Sequence, residues 1–228
     1  MFDKNRIMES KTNKADFNTD KKVQELLLDA AEELFCEHGF EGTSIRDIAA
    51  LAGCNIASVN YYFGGKDNLY IEVWRRHLFP MRDARIAGIE KVMSQNQGMV
   101  KLEDLLRTFA DTFIGSMMDP NKASRLSKLM AREYIDRHLP AGIFVDEVIK
   151  PTMDAMRDAL IKTCPRLDES KVLMVIFSLI GQLVHVVHIR TIFEQGGDVS
   201  GLPVFDLSDV TDHIVRFSAA GIRAYTGD

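Results

Sequence analysis

Between Cys54 and Tyr70 the chain reads CNIASVNYYFGGKDNLY, a run with a carboxamide at Asn60, hydroxyls at Ser58, Tyr61 and Tyr62, and no charge before Lys66. Those groups suit contact with double-stranded DNA better than they suit bond-making. A carboxamide can pair two-pronged with an adenine edge, a serine hydroxyl can serve several base edges, and the methyl of Ala57 fits against a thymine methyl. The phenols and the lysine ammonium are phosphate ligands, which fix position without reading sequence. Elsewhere the chain carries no glycine-rich phosphate loop, nucleophile elbow, HExxH pair or paired carboxylates beside a base, so the sequence offers catalysis little.

For these side chains to act together they must project from one side of a rigid element. Val23, Leu26, Leu27, Ala30, Ala31, Leu34 and Phe35 recur at three- and four-residue steps and predict a first helix that Gly39 ends. Ser44 followed by Asp47 is a variant capping box, and Ile45, Ile48, Ala49 and Ala52 give a short second helix its apolar stripe. Gly53 permits a tight turn, after which Val59 and Phe63, four apart, supply the inward face of a third short helix. Two short helices joined through a glycine make a helix-turn-helix. With Val59 and Phe63 facing in, Ala57, Ser58, Asn60 and Tyr61 face out, on a rod of roughly seven residues and ~10 Å that fits a major groove ~12 Å wide. The step of three from Ile56 to Val59 suits a core position as well as an outward one. Taken singly, the tyrosines also suit packing, and Ser58 and Asn60 a solvated surface. Placed after two helices, one side that is uncharged, small and aromatic favours a reading surface.

Composition limits the alternatives. The 228 residues are 46% hydrophobic, ample for a buried core in one large domain or a small and a medium one. A net charge of −5 gives no global attraction to nucleic acid, so any DNA contact has to come from a local patch. Cys36, Cys54 and Cys164 are scattered without CxxC spacing, which argues against a disulfide framework or zinc ribbon and for a reduced cytoplasm. The polar opening of the chain predicts a flexible arm over residues 1–18 and no export signal. The most apolar run, Val172 to Val187, is short of the ~20 residues that span a bilayer and carries Gln182 and His185, which predicts a buried or interface helix and no membrane association.

The expected fold is all-α, with the helix-turn-helix domain over 19–66 and a larger helical domain over 67–228. Leu69, Val73 and Leu78 begin a long helix that Pro80 is expected to kink or interrupt. Leu102, Leu105, Leu106, Phe109, Phe113 and Met117 form the next stripe, and Leu126, Leu129, Met130 and Tyr134 another that closes at Leu139-Pro140. Ile143 to Cys164 is amphipathic, with a kink expected at Pro151, and two long helices near Glu169–Gln195 and Leu207–Tyr225 flank the loop GGDVSGLP. The first of that pair is apolar nearly all round and so needs a partner beyond its own core. Methionines and aromatics in the middle helices suit either an adaptable ligand cavity or plain core. Arg132 and Glu133, set in an apolar stretch, suit either a polar ligand group or an internal ion pair. His185 and His188, three apart, with His213 on the next helix, have a spacing a metal could use. No thiolate or carboxylate cluster adjoins them, so hydrogen-bonded structural imidazoles are the simpler reading, and neither a metal nor a cofactor is expected.

The stretch GFEGTSIRDIAALAGCNIASVNYYFGGKDNLY resembles the DNA-binding signature of TetR/AcrR-family transcriptional regulators, with its glycine before the Thr-Ser cap, its Tyr-Tyr-Phe and its Lys-x-x-Leu. The later stretch LSKLMAREYIDRHLPAGIFVDEVIKPTMDAMRDALIKTC resembles the C-terminal domain of the CecR-like subgroup. The resemblance implies that Ser44 and Arg46 stand near DNA at the head of the second helix, with Ala57, Ser58 and Asn60 in the groove and Tyr61, Tyr62 and Lys66 on phosphate. Asn60 departs from the aromatic residue of many members, and Gly64-Gly65 is a looser link than usual. The resemblance further implies a homodimer that pairs the last two helices of each subunit in a four-helix bundle. Leu179, Leu183, Val186, Val187, Ile214 and Phe217 are the candidates for that interface. For an effector pocket the candidates are Phe109, Phe113, Met117, Met130, Arg132, Glu133, Tyr134 and Phe177. The expected function is a ligand-responsive regulator of transcription, a repressor released from operator DNA by a small molecule. A metal-responsive regulator on the same fold and a small all-α enzyme or carrier are the alternatives.

Overall fold

The computed structural model describes the backbone of residues 5–95, 100–118, 120–194 and 206–227, and side chains within 19–95, 100–118, 124–190 and 206–227. The described residues contain no strand. The helices are α1 (Asn5–His38), α2 (Ile45–Leu51), α3 (Ile56–Phe63), α4 (Lys66–Gln95), α5 (Leu102–Met117), α6 (Pro120–Asp136), α7 (Ala141–Phe144), α8 (Lys150–Thr163), α9 (Glu169–Glu194) and α10 (Leu207–Thr226), with a π turn over Val145–Ile149. Helical backbone starts at Asn5, within the stretch expected to be a flexible arm. The expected loop Gly196–Pro203 lies outside the described residues.

The packing forms two compact units. One holds the chain up to His77 together with Ser124–Pro140, the other Leu78–Ala123 and the chain from Ala141 onward. Both α4 and α6 therefore run from one unit into the other. The sequence reading placed a boundary after Lys66, but α4 adds Leu69, Tyr70, Val73 and Trp74, all buried, to the core that α1, α2 and α3 begin with Leu27, Phe35, Ile48 and Val59. Phe35 and Phe40 meet the edge of Tyr70 at 4.9 and 5.1 Å between ring centres. The Tyr70 hydroxyl donates to Glu133 Oε2 at 2.8 Å, and Oε1 of the same carboxylate accepts from the Leu139 N–H at 2.7 Å. Buried Glu32 on α1 is the second polar tie, with Arg76 and Arg125 at 3.3 Å and the His77 ring nitrogen at 3.2 Å.

Pro80 does not interrupt α4, which runs unbroken across it. Its ring stands on the exposed side of the helix, where the Arg76 carbonyl that loses its N–H partner is not sealed in a core. At Pro151 the expected kink takes a different form. The backbone stays helical from Phe144 through the π turn into Lys150, whose N–H bonds the Val145 carbonyl, so Pro151 falls where the hydrogen-bond pattern has just shifted by one residue.

In the second unit Leu105, Leu106, Phe109 and Ile114 of α5 pack with Met156 and Leu160 of α8, Ile176, Leu179 and Leu183 of α9, and Ile214 and Ile222 of α10. The segment Glu169–Arg190, 22 residues with mean hydropathy 2.2, is long and apolar enough by composition to cross a membrane, which exceeds the length expected from sequence. One stripe of it, Val172, Val175, Ile176, Leu179, Leu183 and Val187, is buried in the chain's own core.

Candidate nucleic-acid interface

Local hydrogen bonds fix the two short helices. Ser44 Oγ accepts from the Asp47 N–H at 3.2 Å and donates to Asp47 Oδ2 at 2.5 Å, while the same carboxylate accepts from the Ser44 N–H at 3.3 Å. The Ser44 hydroxyl holds the Asp47 carboxyl below its usual value. Ser44 is thus the N-cap of α2, and Arg46 stands exposed one residue into the helix. Gly53, with φ of +65°, turns the chain, and Asn55 then caps α3 by accepting the Ala57 N–H at 2.9 Å. Sequence reading passed over Asn55, although a residue of N-cap type before a short helix is a usable signal. At the other end Gly64 (φ +73°) and Gly65 (φ +132°) occupy backbone that other residues rarely adopt.

The two faces of α3 divide as its spacing predicts. Val59 is fully buried and Phe63 half-buried, while Ala57, Asn60 and Tyr61 are exposed, Tyr61 by 78%. Ser58 is half-buried at the edge of this face. Ile56, open to either reading in the sequence, is 49% exposed and joins the outer face, as does Leu51 at the end of α2. Tyr61 and Tyr62 meet edge to face with ring centres 4.8 Å apart. The Tyr62 hydroxyl donates to Asp20 on α1 at 2.6 Å, and that bond to a carboxylate pushes the phenol up to about 12. The ammonium of Lys66 lies over the Phe40 ring, 4.1 Å from its centre. Ala57, Asn60 and Tyr61 thus share one outer face, whereas Tyr62 and Lys66 carry intramolecular contacts that a phosphate has to displace or share.

The other expected sites are placed differently. Of the candidate pocket residues, Met130, Arg132, Glu133 and Tyr134 lie in the first unit, and Phe109, Phe113, Met117 and Phe177 in the second. Arg132 and Glu133 do not pair with each other: Arg132 donates to the Glu37 carbonyl at 2.5 Å and Glu133 binds Tyr70 and Leu139. Tyr134 is 82% exposed, Phe177 61% and Met130 45%. Phe109 is sealed in the core and touches Phe113, with ring centres 6.0 Å apart.

The candidate interface also needs correction. Leu179, Leu183, Val187 and Ile214 are buried among the chain's own helices, because α9 turns that stripe inward to α5 and α8, and Val186 is half-buried. The exposed apolar stripe is instead Leu173, Met174, Phe177 and Val184 on α9, with Phe217 and Tyr225 on α10. Met174, Ser178, Phe217 and Gly221 line a groove of about 180 Å³ between those helices. His185, His188 and His213 are exposed, His213 stacking on Phe217, and the described residues hold no group of three or more His, Cys, Asp or Glu placed for a metal.

Comparison with known proteins gives matches at both ends of the chain. Residues 27–73 match the pattern of bacterial regulatory proteins of the tetR family. Residues 102–222, more than half of the chain, match the C-terminal domain of the HTH-type transcriptional dual regulator CecR. CecR of Shigella flexneri is 28% identical over 58% of this chain and 60% of its own length. YttP of Bacillus subtilis, described as a probable HTH-type transcriptional regulator, is 44% identical over 21% of this chain and 23% of its own. The chain thus spans less than two thirds of the length of these relatives. A crystal structure from Mesorhizobium loti, assigned to the TetR family, covers 90% of this chain and is itself covered to 96%, with a TM-score of 0.63 at 17% identity, a likeness of fold.

Proposed function

Because the chain belongs to the tetR family of bacterial regulatory proteins and carries the CecR-type C-terminal domain, we propose that it is a ligand-responsive transcriptional regulator, a repressor that a small molecule releases from operator DNA. The observation that carries this reading is the outer face of α3, where Ala57, Asn60 and Tyr61 stand exposed while Val59 anchors the helix from behind. Asn60 reads a base edge, Tyr61 and Lys66 meet phosphates, and Tyr62 joins them once its hydroxyl leaves Asp20. Arg46 supplies a further cation at the head of α2.

The reading unit is a homodimer formed through the exposed stripe of α9 and α10, in the cytoplasm, without enzymatic activity. Effector and DNA oppose each other by linkage: a molecule that binds the arrangement unfit for DNA lowers DNA affinity by its preference between the two states. α4 and α6 are the natural carriers of that coupling, since each contributes residues to both units. Mobility shifts on the DNA upstream of the protein's own gene, at graded salt, test the proposal. A specific complex that weakens steeply with salt and far exceeds binding to random DNA is expected. Equal binding to both DNAs sinks it.

A further inference from the structure

Arg85, on the part of α4 inside the second unit, is only 8% exposed, and its Nε is buried. Its neighbours do not balance its charge. The guanidinium lies over the Phe113 ring, 4.0 Å from the ring centre, and Nη2 donates to Ser116 Oγ at a long 3.4 Å. Nε has no hydrogen-bond partner, and among the described residues no carboxylate pairs with the group. The near carboxylate in sequence, Asp83, is taken by Arg82 at 2.8 Å. Burial alone pulls the Arg85 guanidinium down to about 10, so it remains charged at neutral pH.

A buried, unpaired cation is costly and persists where something offsets it. A second observation falls on the same segment of α4. Arg82, one turn before Arg85, donates to the Glu147 carbonyl at 2.9 Å, which ties the π turn Val145–Ile149 beside this stretch. π turns cluster at functional sites because they widen the backbone locally.

We propose that Arg85 is the anchor of the effector site and that the effector is an amphipathic carboxylate, its anionic head on the guanidinium and its apolar body against Phe113 and the partly buried Met117. This rests on the regulator reading and adds the chemical class of the small molecule. The planar fork of an arginine matches a carboxylate two-pronged. One negative charge neutralises the one buried positive charge, whereas a doubly charged phosphate leaves an excess in the same apolar surroundings.

The test uses the full chain and two matched pairs of probes, decanoate with decan-1-ol and 2-naphthoate with 2-naphthol, read by thermal melting and calorimetric titration. Binding of a carboxylate in preference to its alcohol is expected, and Arg85→Met weakens it by about tenfold or more. Without probe, Arg85→Met is expected to melt no lower than the wild type, since it removes an uncompensated buried charge; Arg85→Lys retains part of the carboxylate preference. The proposal is overturned if neither carboxylate binds better than its alcohol. It is equally overturned if Arg85→Met leaves carboxylate binding unchanged, or if the probe-free variant melts well below the wild type, which makes Arg85 a packing residue. Operator binding is scored separately by mobility shift. An uncharged molecule that releases DNA overturns the carboxylate site and leaves the regulator standing, whereas carboxylate binding without any specific DNA complex does the reverse.

Discussion

At the scale of single residues the exposed face of α3 was legible because its spacing is local. A carboxamide, a small methyl and a phenol on one side of a short helix follow from the spacing of Val59 and Phe63 alone. Asn60→Ala is expected to cost about 1–3 kcal/mol of discrimination at one base pair while binding to random DNA survives; a base-by-base competition series measures it, and equal loss on all sequences shows that Asn60 only positions the helix. The contact of Tyr62 with Asp20 was not legible, since the two lie 42 residues apart and only the packing of α1 beside α3 joins them. That carboxylate holds the phenol proposed to meet phosphate, and a carboxylate is itself repelled by phosphate. Asp20→Asn is therefore expected to tighten binding to every DNA sequence by a few-fold at low salt, with the gain fading as ionic strength screens it. A change in base preference instead places Asp20 among the reading groups.

At the scale of elements, periodicity finds helices but does not say what they pack against. The stripe of Leu126 and Leu129 suits any apolar surface, so the sequence could not reveal that this part of α6 joins the first unit. It is held there by polar ties, Glu133 to Tyr70 and Arg125 to Glu32, between residues far apart in the chain. The π turn was equally hidden, because the phase shift of one extra residue is hard to see in a stretch as short as Ala141–Ile149. Glu32 makes the element scale testable through pH. Burial raises its carboxyl, but the hydrogen bond and charge of His77 and then Arg125 outweigh this and hold it below the ordinary value. A carboxyl with a lowered folded value stabilises the fold above its unfolded value of about 4.5 and loses that contribution as pH falls through the folded one. Melting temperature is thus expected to drop in acid, and Glu32→Gln to lose stability by about 3 kcal/mol at neutral pH with a flatter acid limb. An acid limb unchanged in Glu32→Gln assigns the acid sensitivity to other groups.

At the scale of the whole molecule the question is which face of α9 is free to meet a second copy in the proposed dimer. The helix is apolar nearly all round, so sequence cannot separate the stripe that seals its own core from an exposed one, and Leu183, expected at an interface, lies on the stripe that seals the core. Leu183 is fully buried among α5, α8 and α9. A charge there removes a core residue and is expected to unfold the second unit rather than separate two subunits. The exposed face has a different composition. Phe177 and Phe217 stand out by 61% and 64%, and a Cβ built at Gly181 or Gly221 meets nothing within 4 Å, so both helices present bare backbone to which another helix pair can approach closely. In a two-fold dimer each of these residues recurs across the axis, and a charge added once per chain is added twice to the interface. Two recognition helices then reach successive major grooves about 34 Å apart, and losing the partner loses half of the contacts. Phe177→Glu combined with Phe217→Glu is expected to sediment as a monomer with unchanged helicity and cooperative melting, and to bind operator DNA no better than random DNA. Sedimentation, circular dichroism and mobility shifts on one preparation decide the matter. A folded monomer that grips the operator with wild-type affinity shows that one chain suffices to read the site, and a variant that remains a dimer moves the interface to another face.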